Sequence, residues 1–197
     1  MNMIAVDKFL PTLRTMVSDR IVPEMKTAIV RAAITFCRKS QAIVHQRTID
    51  LISAGETVNV VEGSDENRNH PGSIKAAKVL GIQSHGQPLL QGMDYIMTGL
   101  DAVRFYKDAC HVQFVSVVEP KPDTRYVPET LLSDWCEVIC HGAAAILDSE
   151  KTGPESQLTP HHEREFTEGI RRAYRWRIET FPELNPSPEH RRHREFF

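Results

Sequence analysis

The chain is poor in cysteine, with four in 197 residues, and this excludes the dense disulfide framework of a small secreted domain. Cys136 and Cys140 stand one helical turn apart, where a bridge inside a regular helix is geometrically awkward, so reduced thiols in a cytosolic setting are expected. Long apolar runs are also missing. The longest, around Gly142 to Leu147, falls far short of the roughly 20 residues that a helix needs to cross a bilayer, so no membrane span is expected. The N-terminus, Met1 to Lys8, meets charge after a few residues and has neither a basic start nor a long apolar stretch, which argues against a secretory signal. No charge of one sign dominates either. A formal net charge of -2 leaves no global basic field to condense onto phosphate, and a nearly neutral surface lets DNA slide past rather than holding it.

Catalytic signatures are equally scarce. Ser40, Ser53 and Ser149 lack the G-x-S-x-G elbow that would present a nucleophile. Gly81, Gly86, Gly92 and Gly99 form neither G-x-G-x-x-G nor G-x-x-x-x-G-K-[ST], so no phosphate cradle is expected. Acidic residues are scattered as singles. Cys136-x-x-x-Cys140-His141, with Cys110-His111 and Cys37 as further donors, has the residue types of a zinc site. On a helix, however, adjacent residues diverge by about 100°, so His141 points away from Cys140, and the thiols read as buried small hydrophobes. His161-His162-x-x-Glu165 has adjacent histidines rather than the four-residue spacing of a zinc protease helix, so convergence of the two on one ion is not expected. The residues thus predict no catalytic group, no metal and no cofactor.

What is present is an ordinary globular composition, 41% hydrophobic and 25% charged, sufficient for one compact domain. Val22, Met25, Ile29, Ala32, Ala33 and Phe36 fall on one side of a helical wheel and predict a long first helix, with Pro23 in its first turn. From about residue 46 the pattern shifts to short β-like pieces, 48–52, 57–61, 74–82, 95–97, 103–106 and 111–118, separated by turn-forming pairs such as Ala54-Gly55 and His85-Gly86. Pro128-Glu129 opens a second long helix reaching about Ser149, apolar nearly all round. Thr159-Pro160 opens a third, with Phe166, Ile170, Ala173 and Tyr174 inward. The expected fold is mainly α within the α+β class: a bundle of three long helices carrying a small inserted antiparallel β region. The expected division is a single domain over 1–181, with the β-rich insertion at about 46–120, and a C-terminal extension over 182–197. Residues before about 20 are expected to be irregular, and the polar tract Glu62 to Pro71 to be an exposed loop.

Two polar regions stand out as contact surfaces. Arg164, Glu168, Arg171, Arg172 and Arg175 lie on the outward side of the third helix and are candidates for a subunit interface, with Glu168 and Arg172 spaced as a supportive pair. Residues 161–197 hold eight Arg against seven Glu, which dilutes any nucleic-acid stripe. After Pro182, Pro186 and Pro188 the chain ends in Arg191, Arg192, His193, Arg194, Glu195, Phe196 and Phe197, a docking tip.

Several short elements in order, Phe9-Leu10-Pro11, Val22-Pro23-Glu24, Ala32-Ala33-x-x-Phe36-Cys37-x-x-Ser40, Val117-Val118-Glu119-Pro120, Pro128, Leu132, Trp135, Ile139, Gly142-Ala143, Leu147 and Phe166-x-x-Gly169-Ile170-x-x-Ala173, span nearly the whole chain. Through them it resembles the head-to-tail adaptor (connector) proteins of tailed bacteriophages. The resemblance implies a non-enzymatic virion protein, assembled in the host cytoplasm as a ring of twelve, that binds the portal protein on one side and tail components, nozzle or tail tube, on the other. DNA would pass through without specific binding. It also implies a C-terminal extension that reaches the portal, which makes Arg191, Arg192, Arg194, Phe196 and Phe197 the candidate portal contacts. The alternative is a small metal-binding enzyme or regulatory protein using Cys110, Cys136, Cys140 and nearby histidines.

Overall fold

The structure, a computed structural model, describes residues 1–61, 72–152 and 158–184. The first apolar-striped segment forms α2 (Val22–Ser40), as the wheel predicts: Met25, Ala28, Ile29, Ala32, Ala33, Phe36 and Cys37 are buried, and Pro23 occupies the first turn. The helix stops because Gln41 turns into the left-handed region at φ 53, its N–H closing on the Cys37 carbonyl. Two further long helices pack on α2 and on each other, α4 (Cys136–Thr152) and α5 (Leu158–Thr180). The second predicted helix is broken. A short α3 (Thr130–Ser133) precedes α4, with Asp134 and Trp135 between them, and Trp135 stacks obliquely on Phe36 at 5.5 Å.

Residues 1–20 are ordered rather than irregular. Strand β1 (Met3–Ala5) leads through a 3-10 turn into α1 (Leu10–Met16), and Val6, Phe9, Leu10 and Leu13 enter the core. β1 pairs antiparallel with β9 (Tyr126–Pro128), from Met3 opposite Pro128 to Ala5 opposite Tyr126.

Each predicted β piece forms a strand, with changed ends. They are β2 (Val44–Ile52), β3 (Thr57–Asn59), β4 (Ile74–Ser84), β6 (Tyr95–Met97), β7 (Ala102–Phe105) and β8 (Ala109–Pro120), joined by a two-residue β5 (Gln87–Pro88). One sheet has the order β2-β8-β4-β5 and a second has the order β3-β7-β6. In both, all pairings are antiparallel. The central β8 is twelve residues long and almost wholly buried from Val112 onward, because α2 packs against it. The smaller sheet joins the same core through Phe105, whose ring stands edge-on to Phe114 of β8 at 6.2 Å.

This architecture corrects the expected fold class. Among the described residues there are five α-helices and three antiparallel sheets. The β part is not a small excursion from a bundle of three long helices. Strands of eleven and twelve residues share one continuous hydrophobic core with the helices, so the chain is an α+β protein in which sheet and helices support each other.

A buried carboxylate marks the junction. Glu119, near the end of β8, has a fully buried side chain. It accepts both arms of the Arg38 guanidinium from α2, the Nη2 contact at 2.7 Å, and Lys75 of β4 approaches to 3.4 Å. Burying that charge is tolerable because two cations and a bidentate geometry meet it. The same charge, after burial itself, raises the Cys37 thiol far above its ordinary value, so Cys37 is an inert part of the core.

Candidate functional site

α5 is amphipathic, and its outward side carries all five candidate interface residues in exposed positions: Arg164, Glu168, Arg171, Arg172 and Arg175. The ion pair differs from expectation. Glu168 accepts from Arg171 at 2.5 Å, three residues on, rather than from Arg172. Both partners are about half exposed, so the pair contributes only about 0.2–0.5 kcal/mol. Arg177, counted with the basic residues of this helix, is instead buried and donates to the Leu184 carbonyl at 3.2 Å. Tyr174 and Trp176 take its place at the surface, with Trp176 edge-on to Phe181 at 6.1 Å. Arginine beside exposed aromatics is the composition of protein-binding surfaces. The candidate portal contacts, Arg191, Arg192, Arg194, Phe196 and Phe197, and the polar tract Glu62 to Pro71 lie outside the described residues.

A second group of exposed residues, not foreseen in the sequence, is apolar. Leu90, Met93, Ile96, Leu100 and Tyr106, on and around the β3-β7-β6 sheet, are all exposed, Met93 by 67%. Asp94 builds the turn that presents two of them. Its Oδ2 accepts the Leu90 N–H at 2.9 Å, and its own N–H returns to the Leu90 carbonyl. Gly92, at φ 88, supplies the left-handed step. The Leu90 amide and then the Lys107 ammonium, 3.3 Å away, hold the Asp94 carboxyl below its usual range. Solvated apolar residues on a built turn, rather than scattered singly, mark a contact region.

The third feature lies where α4 meets α5. These helices approach closely because each has a glycine where the other places a bulky side chain. A Cβ on Gly142 would come within 2.8 Å of the Phe166 ring, and one on Gly169 within 2.6 Å of Val138 Cγ2. The close approach brings His141 of α4 against His161 and His162 of α5. Their ring centres are 5.1–5.7 Å apart, and one ligand nitrogen from each falls within 4.8 Å of the others. His141 Nδ1 and His162 Nδ1 are 2.8 Å apart, so one of them carries the shared proton. Asp148 Oδ2 lies 3.9 Å from His162 Nε2. His162 is 6% exposed, His141 is half-buried and His161 is open to solvent. Burial first, then neighbouring imidazoles, pushes His141 below its ordinary value. Burial likewise lowers His162, against the pull of Asp148.

The expected divergence of His161 and His162 holds along one helix but does not prevent convergence once a second helix supplies the intervening ring. The signal available in the sequence was His141-Gly142 beside Phe166 and Gly169, small residues that predict a close crossing. The cysteine set does not assemble with these rings. Cys140 is buried against the Phe9 carbonyl, Cys136 faces Thr12, and Cys110 is exposed on β8. No protein-family model matches the sequence, and a search of curated proteins likewise finds no match.

Proposed function

We propose that the protein is a structural head-to-tail adaptor of a tailed phage, a virion component that closes into a ring, of the twelvefold order its resemblance implies, beneath the portal. It works by contact, without turnover. The observation that carries this reading is the presence of two unlike features on one subunit: the turn that exposes Leu90 and Met93, and the arginine-aromatic side of α5. A closed ring needs such a pair, since each subunit meets its two neighbours through different faces. The ordered elements shared with phage adaptors support the same reading. In it, Arg164, Glu168, Arg171, Arg172 and Arg175 serve the subunit interface, Arg191, Arg192, Arg194, Phe196 and Phe197 reach the portal, and tail proteins take the remaining face while DNA passes through the channel.

The test is assembly. The full chain is mixed with a tailed-phage portal protein and examined by native mass spectrometry and electron microscopy. Added density forming a closed ring on portal particles is expected, and a chain lacking 182–197 should bind the portal more weakly. A double Met93→Asp, Leu100→Asp variant should remain folded, both side chains being exposed, and fail to close the ring. Portal particles that stay bare at micromolar concentrations of folded protein would refute the assignment.

A further inference from the structure

We propose that His141, His161 and His162 form a binding site for one divalent transition-metal ion of the zinc type, held between α4 and the start of α5 with a water in the fourth position. The inference stands apart from the adaptor reading, because it rests on side-chain placement and not on assembly.

The geometry fits the ion. Three imidazoles bound tetrahedrally at a metal–nitrogen distance of about 2.0–2.1 Å have their ring centres about 5 Å apart and their ligand nitrogens about 3.4 Å apart. The observed centres are 5.1, 5.4 and 5.7 Å apart. Loading the site therefore requires ring rotations that open the 2.8 Å contact between His141 and His162 and bring the three donors, now within 4.8 Å of one another, to a common spacing. The donor set selects the class of ion: three imidazoles without a carboxylate oxygen among them suit zinc, cobalt, nickel or copper and not magnesium or calcium. With His162 ligating through Nδ1, its Nε2 faces Asp148 Oδ2 at 3.9 Å, close enough for the ring rotation on loading to close it into the hydrogen bond by which a carboxylate orients a ligating imidazole. A cation here lies near the positive end of α5, which is unfavourable. The carboxylates of Asp148, Glu137 and Glu165, all close enough to act on these rings, supply the opposing charge. The glycine notches at Gly142 and Gly169 fix the helix separation on which the ring spacing depends.

A bound ion would clamp α4 to α5 across residues 153–157. Asp148 is a positioning residue, not a ligand. The full chain, free of any histidine tag and stripped with chelator, is titrated with Zn(II) by calorimetry and with Co(II) by visible absorption. One ion per chain is expected, with the strong d–d bands of tetrahedral Co(II). His161→Gln, whose side chain is exposed and whose loss leaves the fold intact, should weaken binding by about 100-fold or more, and His141→Gln similarly. Asp148→Asn should weaken it by about 10–100-fold while keeping the tetrahedral spectrum. The absence of stoichiometric binding by the folded wild-type chain overturns the proposal. So does wild-type affinity in both His161→Gln and His141→Gln, which would place the ion elsewhere. A chain that binds no ion yet caps portal particles refutes this site and leaves the adaptor reading standing.

Discussion

Glycine does two different jobs in the two halves of this molecule. In the helical part, Gly142 and Gly169 are needed for space, since any side-chain carbon would collide with Phe166 or Val138 across the α4–α5 contact. In the strand-rich part, Gly55, Gly86 and Gly92 have nothing within 4 Å of an added Cβ, yet all three sit at φ between 76 and 88. The helices are thus intolerant of volume, whereas the β turns are intolerant of backbone handedness. One residue type carries a packing constraint in one region and a conformational constraint in the other.

The sharpest way to break this distinction is Gly169→Ala. Helix propensity alone would favour alanine by about 1 kcal/mol. Overpacking against the branched Val138 opposes it, and a net loss of about 1–3 kcal/mol is expected in urea denaturation. Adding Val138→Ala should recover part of that loss, giving a coupling that distant pairs do not show. A neutral or stabilising Gly169→Ala would show that the helices have room to spare.

Gly55→Ala tests the other side with a smaller expected effect. Gly55 donates to the Phe105 carbonyl at 2.8 Å from a left-handed backbone. Alanine should cost about 1 kcal/mol through handedness alone, and Asn, which tolerates that conformation, should cost less. If Asn and Ala are equally harmful, a crowding effect is at work and the contrast fails.

The smallest effect concerns His45 on β2. Burial first, then the N-terminal amine and Arg47, holds its imidazole below the ordinary value. The unfolded chain therefore binds more protons in the window below about pH 6.5. The His45 contribution is complete above that pH and falls as acid carries the protein down through the lowered folded value. Melting temperature followed from neutral to mildly acid pH should decline less steeply in His45→Gln. An unchanged slope would mean that the strand region leaves this ring as accessible as the unfolded chain does.

Which features could be read from the sequence follows from how local their causes are. The stripe Met25, Ile29, Ala32, Ala33 and Phe36 specifies α2 because one helix face is enough to write it. The β pieces were legible from alternation and turn pairs, but the weight of the sheet was not. β8 is apolar on both faces only because α2 covers it, and covering is a tertiary fact. β1 and β9 escaped because three residues find their partner more than a hundred positions away. The periodicity of 130–149 ran on through the break at Asp134 and Trp135 and concealed it. At the surface, Arg164, Glu168, Arg171, Arg172 and Arg175 were legible from helical spacing, while the burial of Arg177 was not, because its partner, the Leu184 carbonyl, lies beyond the helix end. The histidine cluster was hidden for the same reason as the sheet. Reading His161 and His162 within their own helix omits His141, which only the crossing of α4 delivers.

Strand β8 has a mechanical consequence. Beyond His111, whose φ of 47 breaks the extended run, the nine residues from Val112 to Pro120 make a strut of about 30 Å. Near one end Phe114 meets Phe105 of the β3-β7-β6 sheet, and the other end is held through Glu119 to Arg38 and Lys75. A push on the β3-β7-β6 sheet that moves Phe105 therefore bears on the same strand that Glu119 ties to α2.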